Sequence, residues 1–174
     1  MAQSFSDTKG LGASARGYNG AQLTQDLTLS FFEGRSYRAF KEFTANTQMR
    51  FVATKPFMLT SQRLSVTAGA CKATITVGST AGGVWTPLET KFSKNGVVSP
   101  VPTPSTAVEE GGTIAGGIVR EVINVNSGAG SGARDELVGV RLLPPGTYYI
   151  QLTVTGTTAG IYAIEYEELE TTTS

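Results

Sequence analysis

The sequence predicts an all-β protein, a single antiparallel β-sandwich of the jelly-roll type with an extended N-terminal arm. The chain of 174 residues contains 21 glycines together with many threonines and valines, a composition typical of strands joined by turns. Short segments in which apolar and polar residues alternate follow one another between glycine turns, and none has a convincing helical period. About ten such strands in a chain of this length favour one sandwich with its own core.

The segment 1–26 is predicted to be the arm. The stretch QSFSDTKGLGASARGYNGAQ carries four glycines, and its large apolar side chains follow neither a helical nor a strand period. Such a segment buries too little apolar surface to offset the conformational entropy lost on ordering. We therefore expect a neighbouring molecule to order the arm. The predicted contact residues of the arm are Phe5, Leu11, Arg16, Tyr18 and Leu23.

The sandwich is predicted to span 27–174. Its first strand contains the alternating Leu27, Leu29 and Phe31, and 37–43 reads as a further strand or a short turn of helix. In the next strand Met49, Phe51 and Ala53 are predicted to face the core. Pro87 favours an edge position for the segment around Trp85.

Two hairpins are predicted from shifts in the alternation. The segment 63–78 reads as a hairpin in which Leu64 and Val66 face inward, Ala68-Gly69-Ala70 turns, and a strand containing Cys71 returns. Near the end of the chain, the strand from Tyr148 to Val154 is predicted to turn at GTTAG and to return with Tyr162, Ile164 and Tyr166 facing inward.

Residues 94–117 are predicted to form a long extended excursion from the sandwich. The segment contains three prolines spaced two apart, and it ends in GGTIAGG. This last stretch lacks the GxGxxG or GK[ST] spacing of phosphate-binding loops, so a turn is the better interpretation. The prolines predicted to contact a partner are Pro100, Pro102 and Pro104.

The composition argues against several classes of function. The chain has no histidine, which excludes Ser-His-Asp and Cys-His triads and histidine-containing zinc sites. A single cysteine, Cys71, cannot form an intramolecular disulfide and is predicted to be a small buried residue. No apolar run approaches the roughly 18 residues of a membrane span, and the start of the chain lacks the apolar core of a signal peptide. We expect no enzymatic activity, no cofactor and no metal, and no membrane partner.

The charges balance overall but are unevenly spread. Residues 1–104 hold eleven Lys/Arg and five Asp/Glu, a net charge of +6, and residues 105–174 hold three and nine, a net charge of −6. This asymmetry either steers like subunits together or disappears because both parts mix in one sandwich. A pI of about 6.3 argues against nucleic-acid binding by the basic and aromatic residues of 31–55. The acidic cluster at 165–170 is predicted to be a solvated or partner-facing strand edge, not a calcium site or a glycosidase pair.

Trp85 is the only tryptophan and lies in GGVWTP, between glycines and a proline. This context is typical of an aromatic residue at a loop tip. It is compatible with a platform for sugar binding, but a plug at the edge of the sandwich is the favoured interpretation. We therefore include Trp85 among the predicted partner-binding residues.

Three stretches resemble structural proteins of tailed-bacteriophage virions. They are the start MAQSFSDTKG, the segment VWTPLETKFSKNGVVSPVPTPSTAVEEGGTIAGG and the closing LLPPGTYYIQLTV. Similar PPGTYY strands and GGT-type loops occur in the β-sandwich modules that phages use for capsid decoration and tail attachment. The resemblance implies a jelly-roll subunit without enzymatic activity, located in the virion after assembly in the host cytoplasm.

The leading functional expectation is a capsid decoration or cement subunit that binds the capsid surface and stabilises it through the N-terminal arm. We expect a homo-oligomer, a trimer, with a capsid or tail protein as its partner. Two alternatives remain open at this point: a tail or head-fibre component involved in host attachment, and a carbohydrate-binding module that uses Trp85.

Overall fold

The computed structural model describes residues 33–88, 91–94, 103–127 and 133–169, and the backbone of 17–18 and 21–22. The described elements are all strands, which confirms the all-β prediction. Because they include no helix, none is long and apolar enough to span a membrane. The strands are β1 (Gly17–Tyr18), β2 (Ala21–Gln22), β3 (Ser36–Phe43), β4 (Thr47–Ala53), β5 (Phe57–Val77), β6 (Thr80–Pro87), β7 (Lys91–Ser93), β8 (Ala107–Ala115), β9 (Ile118–Asn126), β10 (Ala133–Leu143) and β11 (Gly146–Glu168).

Two long strands, β5 and β11, form the centre of one antiparallel sheet and pair with each other along their length. The other edge of β11 pairs first with β4 and then with β3, and the other edge of β5 pairs with β10 and then with β9. Strands β8 and β6 extend the sheet beyond β4, and β7 extends it beyond β3. The strands β1 and β2, from the predicted arm, form a separate antiparallel pair.

The sheet curls so that its two ends face each other. Tyr148 and Tyr166 lie 18 positions apart on β11, about 60 Å in a straight strand. Nevertheless the ring of Phe57 lies 5.5 Å from the ring of Tyr148 and 6.3 Å from that of Tyr166. Both contacts require β11 and its partner β5 to fold back on themselves.

The curl divides the sheet into two halves. The β4 half consists of β4, β9, residues 70–77 of β5 and residues 146–155 of β11. The β3 half consists of β3, β10, residues 57–66 of β5 and residues 160–168 of β11. Phe51 of the β4 half packs edge to face against Tyr166 of the β3 half, with ring centroids 4.7 Å apart. The core therefore lies between the halves.

The alternation predicted the inward residues of β4 and β5 correctly, but Tyr149 and Ala163 of β11, which it places on the opposite face, are buried as well. Met49, Phe51 and Ala53 are all buried, and so are the predicted inward residues of β5 on both sides of Gly69. Cys71 is buried and free, as predicted, and burial raises the pKa of its thiol to about 11. The segment 37–43 lies in strand β3 and is not helical.

Both predicted hairpin turns are wrong. Residues 68–70 and 156–160 lie inside the continuous strands β5 and β11. Gly69 has φ of +70°, and the pairing skips from Thr155↔Ala70 to Ala159↔Ala68, so that three residues of β11 oppose this one glycine. A bulge of this kind bends a strand without ending it. The shift in alternation that suggested a turn comes from the bend.

The predicted turn at GGTIAGG is partly wrong: Gly111 to Ala115 belong to strand β8, and only Gly116 and Gly117, both with positive φ, connect β8 to β9. Gly111 and Gly112 have φ of +94° and +58° inside the strand, where β8 pairs with the irregular edge strand β6. Of the predicted excursion 94–117, residues 95–102 lie outside the described residues, and so does the predicted strand at 27–31. Strand β6 is the last strand on its side of the sheet, as Pro87 indicated.

The buried hydroxyl of Tyr166 leads to a stability prediction. It has no hydrogen-bond partner among the described residues, whereas the hydroxyl of Tyr162 lies beside the polar side chain of Gln62 and interacts with it. Because an unpaired buried hydroxyl is destabilising, Tyr166→Phe is expected to raise the free energy of unfolding by about 1 kcal/mol. Tyr162→Phe, on the same face of β11, is the matched control and is expected to lower it by about 1 kcal/mol. Urea unfolding measures both, and a loss of stability in Tyr166→Phe contradicts the prediction.

Candidate functional site

Most of the predicted partner-binding residues lie outside the described residues: Phe5, Leu11, Arg16, Leu23, Pro100 and Pro102. Tyr18 is described only as part of the backbone of β1, and Pro104 is partly buried shortly before β8. Trp85 is the predicted residue whose side-chain contacts the structure describes. It lies in strand β6 and not at a loop tip.

Trp85 is packed against the sheet. The guanidinium of Arg50 lies 4.7 Å from the centroid of the indole, and the ring of Tyr149 lies 6.4 Å away at an angle of 61°. A Cβ at Gly112 would stand 2.7 Å from Cδ2 of Trp85, so the ring also rests on the backbone of β8. The arrangement matches the predicted edge plug. Because Arg50 covers one face of the ring, that face is not open to a sugar.

The charged residues of the two parts of the sequence are mixed in the sheet. Arg38 Nε donates to Glu165 at 2.8 Å, Lys94 Nζ contacts the other oxygen at 2.7 Å, and Arg50 pairs with Glu109. Burial raises the pKa of Glu165, but the hydrogen bonds from Lys94 and Arg38 outweigh burial and lower the pKa below its ordinary value. These pairs favour the interpretation in which the charge asymmetry disappears on folding.

The predicted solvated edge at 165–170 is partly wrong, because Glu167 and Glu168 are buried. The carboxylate of Glu168 accepts hydrogen bonds from the backbone N–H groups of Ser105 at 2.9 Å and Thr106 at 2.7 Å. The carboxylate therefore attaches the segment entering β8 to the end of β11, which is a structural role. The described residues contain no group of three or more side chains suited to a metal ion.

Strand β9 exposes apolar side chains on an open edge. Ile118, Val119 and Val122 are 64%, 55% and 43% exposed. Among the described strands β9 pairs only with β5. Val119 and Val122 pair with Thr76 and Thr74, which places both valines on the outer face of the sheet. An apolar outer face next to an unpaired edge is typical of a contact surface.

A bulge in β9 orients two consecutive charged residues to the inner face. The pairing skips from Val119↔Thr76 to Glu121↔Ile75 and leaves Arg120 as the extra residue. As a result, both Arg120 and Glu121 line the space between the two halves of the sheet. In a regular strand they would point to opposite faces.

A cavity of about 850 Å³ lies between the halves of the sheet. Ile75 and Ile150 line it from the β4 half, and Leu59 and Ile164 line it from the β3 half. Its volume lies within the range of about 300–1,000 Å³ that is common for small-molecule sites. The cavity is therefore large enough to hold a small molecule.

A few polar groups interrupt the apolar lining. Gln62 is only 2% exposed, and its Nε2 has no hydrogen-bond partner among the described residues. The same side chain lies beside Tyr162, whose hydroxyl pKa is raised mainly by burial and further by the charge of Glu121, while Gln62 lowers it. Arg141 Nη2 donates to Glu121 at 2.8 Å, and Nη1 donates to the other carboxylate oxygen. Hydrogen bonding to Glu121 raises the pKa of Arg141.

The turn between β10 and β11 forms part of the cavity wall. Tyr148 donates its hydroxyl hydrogen to the carbonyl oxygen of Pro144 at 2.8 Å, and its ring packs edge to face on Phe57. Burial raises the pKa of Tyr148, and the charge of Arg120 opposes this rise. The LPPGTYY stretch, noted above only for its resemblance, therefore holds one wall of the cavity in place.

Sequence reasoning missed the cavity. Gln62, Arg120 and Arg141 are distant in sequence, and only the curl of the sheet brings them together. The one available signal was the charged pair Arg120-Glu121 inside an apolar strand. Comparisons with protein-family models, curated proteins and solved structures find no match for this chain.

Proposed function

We propose that this chain is a non-enzymatic structural subunit of a tailed-phage virion, a capsid decoration protein that stabilises the capsid surface. The observation that supports this proposal is the outer face of β9. Val119 and Val122 expose apolar surface beside a strand edge that has no partner among the described strands. Such edges attract further strands, and natural proteins cover or charge them unless they serve as contacts.

In this proposal the arm 1–26 contributes the second contact. The backbone of the arm adds a strand to the sheet edge of a neighbouring subunit. The apolar side chains of the arm then cover the apolar face that Val119 and Val122 form on that neighbour. The subunits form a trimer, so weak contacts act together over the capsid. The jelly-roll sandwich, the capsid or tail partner and the virion location belong to the same proposal. The curled sheet with its enclosed core is compatible with the sandwich.

The two alternatives differ in the surface they require. Attachment to the host as a tail or head-fibre component uses the same fold and edge but places the chain elsewhere in the virion. A carbohydrate-binding module depends on Trp85, whose ring is occupied on one face by Arg50. The packing of Trp85 therefore favours a protein contact over a sugar platform.

Co-sedimentation with capsids of the phage that encodes the chain tests the proposal. We expect the wild-type protein to bind and Val119→Lys/Val122→Lys to bind at least about tenfold more weakly, because two charges replace apolar groups that the contact with the capsid would bury. Removing residues 1–26 is expected to abolish binding while the thermal unfolding transition is retained. Val84→Lys is the matched control, since Val84 is 79% exposed on the opposite edge strand β6.

Three results would contradict the decoration role: no binding of the wild-type protein, unchanged binding of the β9 variant, or binding that survives loss of the arm. The alternatives have signatures of their own. Retention on a glycan array that Trp85→Ala abolishes indicates a carbohydrate-binding module. Binding to tails or host cells without binding to capsids indicates an attachment protein.

A further inference from the structure

We propose that the cavity between the two halves of the sheet binds a small amphipathic anion, a molecule with an apolar body and a carboxylate or similar acidic group. This inference is independent of the decoration role, because it concerns the inner face of the sheet and not the outer face of β9. It depends on the shape of the cavity, on Nε2 of Gln62, which has no hydrogen-bond partner among the described residues, and on the charge at Arg120.

The apolar lining selects the body of the ligand. Ile75, Ile150, Leu59 and Ile164 line the cavity from both halves of the sheet, with Phe57 beside them. About 850 Å³ between such side chains accommodates a chain of several carbons or an aromatic ring. Apolar ligand surface buried there gains the ordinary hydrophobic contribution.

Gln62 supplies a buried donor at the cavity that no described residue accepts. The side chain is buried and lies beside Tyr162, and its Nε2 has no hydrogen-bond partner among the described residues. A buried amide N–H without an acceptor is destabilising. A ligand oxygen that accepts a hydrogen bond from it therefore gains more binding free energy than it would from a hydrogen bond to a solvent-exposed donor. The ligand therefore carries an oxygen acceptor.

The charges on the wall favour an anion. Glu121 is neutralised by a bidentate salt bridge with Arg141. Arg120, which the bulge turns to the same space, has no ion pair among the described side chains, and it is exposed at the opening. Among the described side chains, one positive charge is thus not balanced where the cavity meets solvent. Because bulges that re-aim a side chain are common at binding sites, the position of Arg120 supports recognition of an acidic group.

Isothermal titration calorimetry with octanoate tests the proposal, and octan-1-ol serves as the uncharged counterpart. We expect wild-type protein to bind octanoate saturably and more tightly than octan-1-ol. Arg120→Gln is expected to weaken octanoate binding about fivefold, because an ion pair with a solvent-exposed arginine contributes only modestly to binding. Its effect on octan-1-ol is expected to be negligible. Gln62→Met is expected to weaken octanoate binding about tenfold, because the buried donor is lost.

Lys72→Gln is the matched control for net charge. Lys72 is exposed on β5 and does not line the cavity, so this variant is expected to bind octanoate like the wild type. Leu59→Trp fills the cavity and is expected to abolish binding of both probes. Arg120→Gln alters an exposed side chain, so it remains informative if Gln62→Met or Leu59→Trp fails to fold.

Either of two results overturns the proposal. One is the absence of saturable octanoate binding up to about 10 mM. A dissociation constant above that concentration means a binding free energy too small for a specific site. The other is equal loss of octanoate affinity in Arg120→Gln and Lys72→Gln, since that places the anion outside the cavity.

Discussion

Replacing Glu168 with alanine is expected to lower the free energy of unfolding by about 3–4 kcal/mol. The carboxylate is 6% exposed and accepts the backbone N–H groups of Ser105 and Thr106. Alanine removes the acceptor and leaves two donors without a partner in a site that water reaches poorly. Urea denaturation followed by tryptophan fluorescence measures the loss.

Two further variants define what Glu168 contributes. Glu168→Gln keeps one acceptor oxygen but places an NH₂ group against the second backbone donor, so its stability is expected to lie between wild type and Glu168→Ala. Glu42→Ala removes an exposed glutamate of the neighbouring strand β3 and is expected to change stability by no more than about 0.5 kcal/mol. If Glu168→Ala is as mild as Glu42→Ala, the attachment of the segment before β8 does not depend on this carboxylate.

The same interaction explains why the acidic cluster was misjudged from the sequence. Four glutamates within six residues are usually solvated, and composition alone cannot show that two of them are covered. The acceptors at Glu168 are used by a segment about 60 residues away in the chain. Such long-range pairing leaves no local pattern, so the sequence could predict the strand but not the burial of its last charges.

The strands themselves were largely predictable. Alternation places Met49, Phe51 and Ala53 inside, and all three are buried. The connectivity was not predictable, because a turn and a bend shift the alternation in the same way. At Gly69 the inward residues change from Leu64 and Val66 to Cys71 and Ala73, and either a hairpin or a bent strand produces that shift.

The cavity illustrates a further limit of local patterns. In a regular strand Arg120 and Glu121 would face opposite sides, and the sequence offers no sign that a bulge turns both inward. The partner of Glu121, Arg141, lies on another strand and meets it only because the sheet curls. Sites that depend on a curl or a bulge therefore leave no signal in the spacing of residues along the chain.

Replacing Gly160 with valine is expected to destabilise the protein by about 3 kcal/mol, because this glycine lies where the two long strands bend. A Cβ there would stand 2.6 Å from Cζ of Phe43 and even closer to the carbonyl oxygen of Ser65. The Phe43 ring can shift, but the carbonyl belongs to the ladder between β5 and β11, so the pairing next to the bend must open.

Gly156→Ala provides the matched control for this position. Gly156 lies on the same strand with φ of +76°, and a Cβ added there would meet no atom within 4 Å, so the cost of this substitution reflects backbone conformation alone, about 1 kcal/mol. Thermal and urea unfolding compare the two variants, and near-UV circular dichroism reports the aromatic contacts that the bend creates. Equal losses in Gly160→Val and Gly156→Ala would mean that conformation, and not close packing, determines the bend. A larger loss in Gly160→Val, with a weakened aromatic signal, is the result expected if close approach at Gly160 holds the two halves of the sheet around the cavity.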